Sequence, residues 1–391
     1  MIHIEKPENC CGCSACKSIC PKDAISMEPD ALGFLYPKVN LDKCIDCGLC
    51  EKVCAFNDHY DVSLNLSEPK AFGVRHKNMK EIESSRSGAA FIALSDWILD
   101  NGGVVYGAGY KDHFRVTHKR ALTKQERDEF KGSKYVQSDM GNVFLQVRRD
   151  LDEGLLVLFS GTGCQVAGLN SFIGKKRRDQ LYLLDIVCHG VPSPYIWRDY
   201  LNYLEKKEGM SITSVNFRDK GKFGWVGHKE SFESNKVRIF ADTYTYIFYQ
   251  HIMLRQSCGV CYYANVKRPG DITIADFWGW EKTNSEFNKD NKGCSLVLCN
   301  TEKGCRLFEL CKKDLYFFSA EIENCLQPNL LRPTIISKDR RKFERDYKWL
   351  GFRYVLYRYG NVGLVYKIQV VLKTMKKILK KIGRTIRKSD E

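Results

Sequence analysis

Two stretches in the first sixty residues share one cysteine pattern: residues 10–20 read CCGCSACKSIC and residues 44–54 read CIDCGLCEKVC. Both contain C-x-x-C-x-x-C-x-x-x-C. The tight C-x-x-C-x-x-C loop places three thiolates around one face of a cuboidal iron–sulfur cluster, and the fourth cysteine of each run ligates the other cluster. The pattern therefore predicts two 4Fe-4S clusters with crossed ligands. The predicted sets are Cys10, Cys13, Cys16 and Cys54 for the first cluster, and Cys20, Cys44, Cys47 and Cys50 for the second.

Two other structures could use these cysteines, a disulfide framework and a pair of structural zinc knuckles. Disulfides are disfavoured because the spacing is typical of metal sites and residues 1–17 lack the apolar core of a signal peptide. Zinc sites usually set two C-x-x-C pairs well apart, often with histidine. Two identical four-cysteine runs favour clusters. Pro21 follows the first run and Ala55 the second, while Cys11 is a surplus thiol.

The composition predicts a globular protein of two or three domains, since 43% of the 391 residues are hydrophobic and 12% are aromatic. No apolar run reaches the ~18 residues of a transmembrane helix. We therefore expect a cytoplasmic protein whose 18 cysteines stay reduced. The formal net charge is +15, but nine Lys or Arg residues and no acid lie between Lys367 and Lys388. Nucleic-acid binding is not favoured, because no recognised module accompanies this charge.

After a polar linker predicted over residues 57–70, the pattern becomes that of an α/β domain. FIALSDWILD (91–100) has helical spacing and is followed by the strand-like VVYGAGY (104–110). GLLVLFSGTG (154–163) and LYLLDIVCHG (181–190) are typical of strands buried on both faces of a sheet. Ligands in such sheets collect at the carboxyl ends of the strands.

The second half of the chain begins with a predicted helix over residues 195–207. A β-rich, aromatic section is predicted to start with VNFRDKGKFGW (215–225). Pro269-Gly270 indicates a turn, and the strand after it ends at Asp276.

Four cysteines outside the repeated runs form a second constellation: Cys164, Cys188, Cys258 and Cys261. The first two follow predicted strands, and the last two form a C-x-x-C pair. Single buried cysteines are commonly small hydrophobic residues. A metal needs two more thiolates beside the pair, so spacing alone leaves a third metal site and structural thiols both open. Structural roles are expected for Cys294, Cys299, Cys305, Cys311 and Cys325.

A series of motifs in one order resembles the coenzyme F420 hydrogenase/dehydrogenase beta-subunit family, from about Ala71 to about Arg345. The N-terminal module is similar to the two-cluster ferredoxin domain fused to many bacterial members. The matching motifs are SRSGAAF (85–91), GGVVYGAGY (102–110), KGSKYVQSD (131–139), FSGTGCQVAGL (159–169), DIVCHGVPSP (185–194), VNFRDK (215–220), SCGVC (257–261), DITIADFWG (271–279) and LQPNLLRPT (326–334).

The resemblance implies an FAD-containing iron–sulfur oxidoreductase, which in some members passes hydride to the deazaflavin coenzyme F420. It also implies that Cys164, Cys188, Cys258 and Cys261 hold a third 4Fe-4S cluster. The implied domains are a ferredoxin-like domain (1–60), two parts of one α/β flavin- and cluster-binding domain (71–180 and 181–350), and a tail (361–391).

Three loops carry the implied flavin contacts. Glycines there let backbone amides approach the flavin, hydroxyls supply hydrogen bonds, and Lys134 could offset the charge of a reduced flavin. The family usually has Gly-Gly at Gly88-Ala89 and Gly-Thr-Pro-Cys at 161–164, where this chain has Gly163. The residues are Ser87, Gly88, Gly132, Ser133, Lys134, Tyr135, Ser160, Gly161 and Thr162.

The basic tail has apolar residues in alternating steps of three and four, which predicts an amphipathic helix. Such a helix could bind the anionic inner face of a membrane, dock on a partner helix, or pack on its own domain. The apolar positions are Val365, Ile368, Leu372, Met375, Leu379, Ile382 and Ile386.

Together these features predict an oxidoreductase that moves electrons between 4Fe-4S clusters and FAD, and to or from an organic hydride acceptor such as coenzyme F420. Its partner would be a ferredoxin or an oxidoreductase subunit. The alternative is an electron-transfer subunit without substrate chemistry of its own, which serves a partner enzyme. No catalytic acid is assigned; His189, beside Cys188, could tune a cluster or move protons.

Overall fold

The computed structural model describes residues 1–364, 366–368, 370, 372 and 375. Within these residues, no helix is both long and apolar enough to cross a bilayer. Most of the predicted amphipathic tail helix, including Val365, Leu379, Ile382 and Ile386, lies outside the described residues, so its role stays a prediction.

The N-terminal domain consists of two short helices and a two-stranded antiparallel sheet. Strand β1 pairs with β2, with Ile25 opposite Val39. Its elements are α1 (Ala15–Ile19), β1 (Ile25–Pro29), β2 (Leu35–Val39) and α2 (Leu49–Lys52).

The rest of the chain is a mixed α/β domain, as the sequence predicts. Its first half contains β3 (Asn65–His76), α3 (Met79–Ser84), α4 (Ala90–Asp100), β4 (Val104–Lys111), β5 (Arg115–Ala121), α5 (Lys124–Asp128), α6 (Val143–Asp152), β6 (Val157–Thr162), α7 (Gly163–Ile173) and β7 (Leu181–Ile186). The second half contains α8 (Pro194–Glu208), β8 (Ser214–Asn216), α9 (Lys220–Phe223), β9 (Glu230–Glu233), β10 (Arg238–Ala241), α10 (Thr243–Phe248), β11 (Ile272–Asp276), β12 (Ser295–Thr301), α11 (Glu302–Cys311), β13 (Leu315–Ala320), α12 (Ile322–Cys325), α13 (Pro328–Leu331) and α14 (Arg340–Tyr359), which is broken at Gly351.

Eight strands form the main sheet in the order β13-β3-β12-β11-β7-β6-β4-β5. The central strands β4, β6, β7 and β11 run parallel, and antiparallel strands flank them. The predicted strands in 154–163 and 181–190 are therefore confirmed as neighbours in a parallel sheet. Leu158 packs on the face covered by α4 and α11, whereas Val157 and Phe159 pack on the face covered by α6 and α7. Burial on both faces explains why these runs are almost wholly apolar.

One sequence prediction about local structure was wrong. The polar linker predicted over residues 57–70 ends earlier, because β3 begins at Asn65. This polar end is held by pairing to Thr301 of β12 and by a hydrogen bond of 2.9 Å from Asn65 Nδ2 to the Arg268 carbonyl. The β-rich section predicted from residue 215 is confirmed, because it contains β8, β9 and β10. After β8 ends at Asn216, Asp219 caps α9 by accepting a hydrogen bond of 3.1 Å from Lys222 N.

A small three-stranded sheet, β8–β9–β10, and helices α8 and α10 lie between β7 and β11 in the chain. Trp197 of α8, Phe232 of β9 and Tyr244 of α10 are fully buried in one core with Leu32 and Phe34 of the N-terminal domain. The N-terminal domain also packs on α7, where Ala15 joins the core on the α6 and α7 face. Both contacts fix the predicted cluster module against the α/β domain.

Candidate iron–sulfur and cofactor sites

The first predicted ligand set converges next to α1. Burial raises the pKa of Cys16, and the neighbouring Cys13, Cys10 and Cys54 raise it further. Burial also raises the pKa of Cys54, with Cys13 and Cys10 among the groups that add to the effect. Thiols that hinder each other's ionisation in this way release their protons when a metal binds and supplies positive charge.

The second predicted ligand set lies on the outer side of the N-terminal domain. Its four members, Cys20, Cys44, Cys47 and Cys50, line one small cavity, and no member of the first set does. The Ala24 amide donates a hydrogen bond of 3.3 Å to Cys20 Sγ, and the Ile2 amide donates one of 3.2 Å to Cys50 Sγ. The structure thus groups the cysteines in the crossed arrangement that the spacing predicts.

The four cysteines outside the repeated runs, here called the third set, come together at the carboxyl ends of two neighbouring parallel strands. Cys164 lies in the first turn of α7 after β6, and Cys188 follows β7. Cys258 and Cys261 belong to a loop with a 3₁₀ turn at Gln256–Val260. All four line one cavity. Burial raises the pKa of Cys188 to about 12, and the nearby Cys164 and Cys261 add to this effect.

The chemistry of this third set fits an iron–sulfur cluster. Backbone amides of Gly190 and Val191 donate hydrogen bonds of 3.3 Å and 3.4 Å to the sulfurs of Cys188 and Cys258. Such donors stabilise and tune cluster sulfurs. Across the described residues, no three His, Cys, Asp or Glu side chains converge closely enough to hold a single metal ion. Each thiolate of a cuboidal cluster binds a different iron, so its ligands need more space than those of one ion.

Cys11, which the sequence leaves without a role, lies between the first and third sets. It lines the cavity of the third set and is 5% exposed. The pKa of Cys11 is raised well above its usual value because the sulfurs of Cys13 and Cys164 lie next to its thiol, and burial raises it further. Gly168 of α7 also lies against the first set. A Cβ added there would come within 2.7 Å of Cys13 Sγ, so glycine lets α7 approach this cysteine closely. The first and third sets are therefore direct neighbours.

Arg255 connects the two domains at this junction and is 1% exposed. Its guanidinium donates hydrogen bonds of 2.8 Å to the Cys10 carbonyl, 2.9 Å to the Leu35 carbonyl and 2.9 Å to Gln137 Oε1. It also lies 4.2 Å from the centre of the Tyr36 ring. A fully buried positive charge beside a ligand loop favours the negatively charged state of the sulfurs.

A large cavity of about 500 Å³ opens beside the third set, at the carboxyl ends of β6, β7 and β11. This is the position at which open α/β sheets bind ligands. All the residues of the predicted flavin loops except Gly88 line it, namely Ser87, Gly132, Ser133, Lys134, Tyr135, Ser160, Gly161 and Thr162. Gly88 lies behind the wall, where a Cβ would come within 2.1 Å of the Val74 carbonyl oxygen. Glycine is needed at this position because a larger residue could not pack against β3.

The large cavity and the cavity of the third cysteine set share a wall. Five residues line both: Thr162, Cys188, Gly190, Val191 and Asn329. Thr162 Oγ1 lies 3.2 Å from Cys164 Sγ. A group in the large cavity is therefore separated from the third set by a single layer of residues.

A buried polar chain, missed in the sequence, holds the Ser160–Thr162 loop. His118 donates a hydrogen bond of 3.0 Å to the Ser160 carbonyl and accepts one of 2.8 Å from Ser138 Oγ. Gln165 Nε2 donates to Ser138 Oγ at 2.8 Å, and Gln165 Oε1 accepts from Thr162 N at 3.0 Å. Burial lowers the pKa of His118 to about 4, so the ring is neutral and keeps this arrangement.

Basic and aromatic residues line the cavity from other loops. Lys134 donates hydrogen bonds of 3.1 Å and 3.3 Å to carbonyls of its own loop, and burial lowers its pKa to about 7. Burial lowers the pKa of His189 to about 4 and that of His228 to about 3. His189 Nε2 lies 2.7 Å from His251 Nε2, while His228 Nδ1 lies 2.8 Å from the Tyr249 hydroxyl. The His189 and His228 imidazoles are therefore neutral near pH 7.

Arg86 and Arg218 line the cavity where β11 ends. Arg218 Nη1 lies 2.8 Å from Asp276 Oδ2, and the Arg86 guanidinium donates to the Trp225 carbonyl. Both arginines belong to motifs that the sequence singles out, SRSGAAF and VNFRDK, but their chemistry was not assigned.

Comparisons with known proteins agree with this division of the chain. Residues 9–57 match the family model of a 4Fe-4S dicluster domain, and residues 155–324 match that of the C terminus of the coenzyme F420 hydrogenase/dehydrogenase beta subunit. A chain in a solved structure, a xenon derivative of the F420-reducing [NiFe] hydrogenase complex from Methanosarcina barkeri, is 15% identical with a TM-score of 0.45. The match covers 73% of this chain and 90% of that chain. No curated protein matches the chain.

Proposed function

We propose that this chain is an FAD-dependent iron–sulfur oxidoreductase. Residues 155–324 match the C terminus of the coenzyme F420 hydrogenase/dehydrogenase beta subunit, and residues 9–57 match a 4Fe-4S dicluster domain. It would hold three 4Fe-4S clusters and move electrons between them and FAD in the large cavity. Its substrate would be an organic molecule that accepts or donates hydride, either coenzyme F420 or another compound.

The wall shared by the two cavities is the observation that carries this proposal. Cys188 and Thr162 line both the third cysteine set and the cavity that contains the predicted flavin loops. The third set in turn adjoins the first through Cys11. The three sites therefore form a continuous series from the N-terminal domain to the large cavity. A storage or structural site would not need this alignment.

The residues of the large cavity have separate tasks in this proposal. Bound FAD supplies the conversion between single-electron and hydride transfer, which clusters alone cannot perform. The Ser160–Thr162 loop, fixed by His118 and Gln165, would orient the ring system with backbone groups. Lys134 is half-buried and its pKa of about 7 lets it gain or lose a proton near neutral pH. Tyr135 and Tyr249 would cover the site on the side of α10.

Electrons would enter or leave at the second cluster site. Cys47 is exposed, and the neighbouring Ile45 is 59% exposed. An apolar, partly open rim around a cluster suits transient docking, because redox encounters use small surfaces. We propose that a ferredoxin or an oxidoreductase subunit docks at this rim.

A second candidate function is electron transfer to a partner enzyme without substrate chemistry in this chain. The exposed Cys47 would serve such a role equally well. The two functions differ at the large cavity, where only the oxidoreductase carries out substrate chemistry. They can therefore be separated by asking whether the purified chain alone reduces an organic acceptor.

The test uses anaerobically purified, FAD-reconstituted protein with reduced ferredoxin as donor and coenzyme F420 or other hydride acceptors in turn. Cys258→Ser should remove about four irons and stop reduction of the bound flavin, because the third cluster is lost. Cys305→Ser is the matched control, since Cys305 is half-buried on α11 and belongs to no ligand set. Flavin reduction at the wild-type rate in Cys258→Ser would refute the proposed route. Reduction of the flavin without turnover of any acceptor would favour the electron-transfer subunit.

A further inference from the structure

The end of the large cavity next to β11 contains an excess of buried positive charge. The side chains of Arg86 and Arg218 are 9% and 8% exposed. Asp276, 11% exposed, lies beside them as a carboxylate partner. Among the described residues that line the cavity, Asp276 is the only acid, whereas Arg86, Lys131, Lys134 and Arg218 are all basic.

One carboxylate cannot neutralise both guanidinium groups. Arg218 takes the short contact of 2.8 Å to Asp276 Oδ2, whereas Arg86 Nε stays 3.8 Å from the same oxygen. Both arginines donate to one neutral acceptor, the Trp225 carbonyl. Within the described part of the chain, Arg86 Nε, Arg86 Nη1 and Arg218 Nε have no hydrogen-bond partner.

A buried guanidinium cannot relieve this imbalance by losing its proton, because arginine stays charged in proteins. Burial lowers the pKa of Arg86 to about 10, which still leaves the group charged at neutral pH. Lys220 makes the region more basic, since its ammonium donates a hydrogen bond of 3.4 Å to the Ser87 carbonyl next to Arg86. Unpaired buried charge is strongly unfavourable unless a ligand supplies the counter-charge.

We propose that Arg86 and Arg218 form a binding subsite for a carboxylate or phosphate group, so that the cavity binds an organic anion. The planar fork of each guanidinium suits the paired oxygens of these groups. The flat ring of Trp278, stacked on Trp225 at 4.5 Å, flanks the subsite. This inference rests on the proposed function in naming the bound molecule as flavin or substrate. The anionic group can come from the flavin phosphates or from the substrate itself.

Titration calorimetry with inorganic pyrophosphate tests the subsite. Arg218→Gln should bind pyrophosphate at least about tenfold more weakly than the wild type, because a charge-assisted hydrogen bond is lost. Lys229→Gln is the matched control, since it removes the same charge from an exposed residue that does not line the cavity. Its affinity should equal that of the wild type.

Asp276→Asn provides a variant with the opposite expected effect, which a folding defect could not imitate. Removing the competing carboxylate should strengthen pyrophosphate binding by about fivefold. Equal affinity in the wild type, Arg218→Gln and Asp276→Asn would overturn the subsite.

The source of the anion follows from two further titrations. Pyrophosphate binding to the flavin-loaded protein would assign the subsite to the substrate. Binding only after flavin removal, together with weakened affinity for FAD but not for riboflavin in Arg218→Gln, would assign it to the flavin phosphates. If the protein binds no flavin, the proposed function fails, yet Arg218-dependent pyrophosphate binding would still support the subsite. If flavin binds, and Arg218→Gln and the wild type bind pyrophosphate with equal affinity, the proposed function stands and the subsite is wrong.

Discussion

The N-terminal ligand sets and the third set gather cysteines in two different ways. The eight N-terminal ligand cysteines lie within 45 residues and are grouped by local loops. The third set draws on residues 164–261 and forms only because β6 and β7 are neighbours in the sheet. Spacing therefore identifies the first kind of site directly, whereas the second kind depends on the tertiary fold. The same difference predicts that the two regions respond separately to substitution.

The largest expected effect comes from removing one ligand in each region. Cys50→Ser should lower iron by about one cluster while leaving flavin content unchanged, since Cys50 is remote from the large cavity. Cys188→Ser should lower iron by a similar amount and also weaken flavin binding, because Cys188 lines that cavity. Iron and flavin analysis of both variants checks this. Loss of flavin in Cys50→Ser would show that the regions are not independent.

Arg255 connects the two regions through hydrogen bonds to both. Arg255→Met should lower the free energy of unfolding by about 3 kcal/mol, since three partly buried acceptors lose a charged donor that is itself fully buried. Its denaturation should also lose cooperativity, with cluster absorbance bleaching before tryptophan fluorescence changes. The reduction potential of the first cluster should fall in Arg255→Met but not in Arg255→Lys. A single transition at the wild-type midpoint would contradict this role.

His118, which lies in β5 of the main sheet, should make the free energy of unfolding depend on pH. Its pKa is lowered to about 4 in the folded protein, below the ordinary value of 6.5, because burial disfavours the charged ring. The unfolded chain therefore binds more protons between these values, and stability should fall as pH drops from 6.5 towards 4. Between pH 7.5 and pH 5 this amounts to roughly 2 kcal/mol. Urea denaturation of His118→Asn should show a smaller pH dependence, and an identical slope in both proteins would contradict the assignment.

Ala89 should give the smallest effect. It precedes α4 with φ +65°, a left-handed conformation that costs a residue with a Cβ about 1 kcal/mol relative to glycine. Ala89→Gly should therefore raise the melting temperature by about 1 °C. Ala121→Gly, at a fully buried β5 position, is a control that should lower it. A lower melting temperature in Ala89→Gly would indicate that the methyl group is needed for packing.

Much of the fold could be predicted from the sequence because its strongest signals are local. The buried runs ending at Thr162 and Ile186 predicted parallel strands, and FIALSDWILD predicted α4. The strand at Asn65 was missed because its polar residues carry no alternating pattern, and they are held in the sheet by pairing to β12.

The candidate site was predictable only in part. The cysteine sets and most flavin-loop residues followed from spacing or from motifs. The roles of His118, Gln165, Arg86 and Arg218 could not be predicted, because each depends on partners far away in the chain. For Gly88, the motif suggested a contact with the ligand, but the structure shows close packing against Val74 instead.

The most direct test of the central claim is iron, acid-labile sulfide and flavin analysis of one anaerobically purified sample. The proposed three clusters and FAD predict about twelve irons, about twelve sulfides and one flavin per chain. About eight irons and no flavin would contradict the claim, because the third cysteine set and the large cavity would then hold neither cofactor.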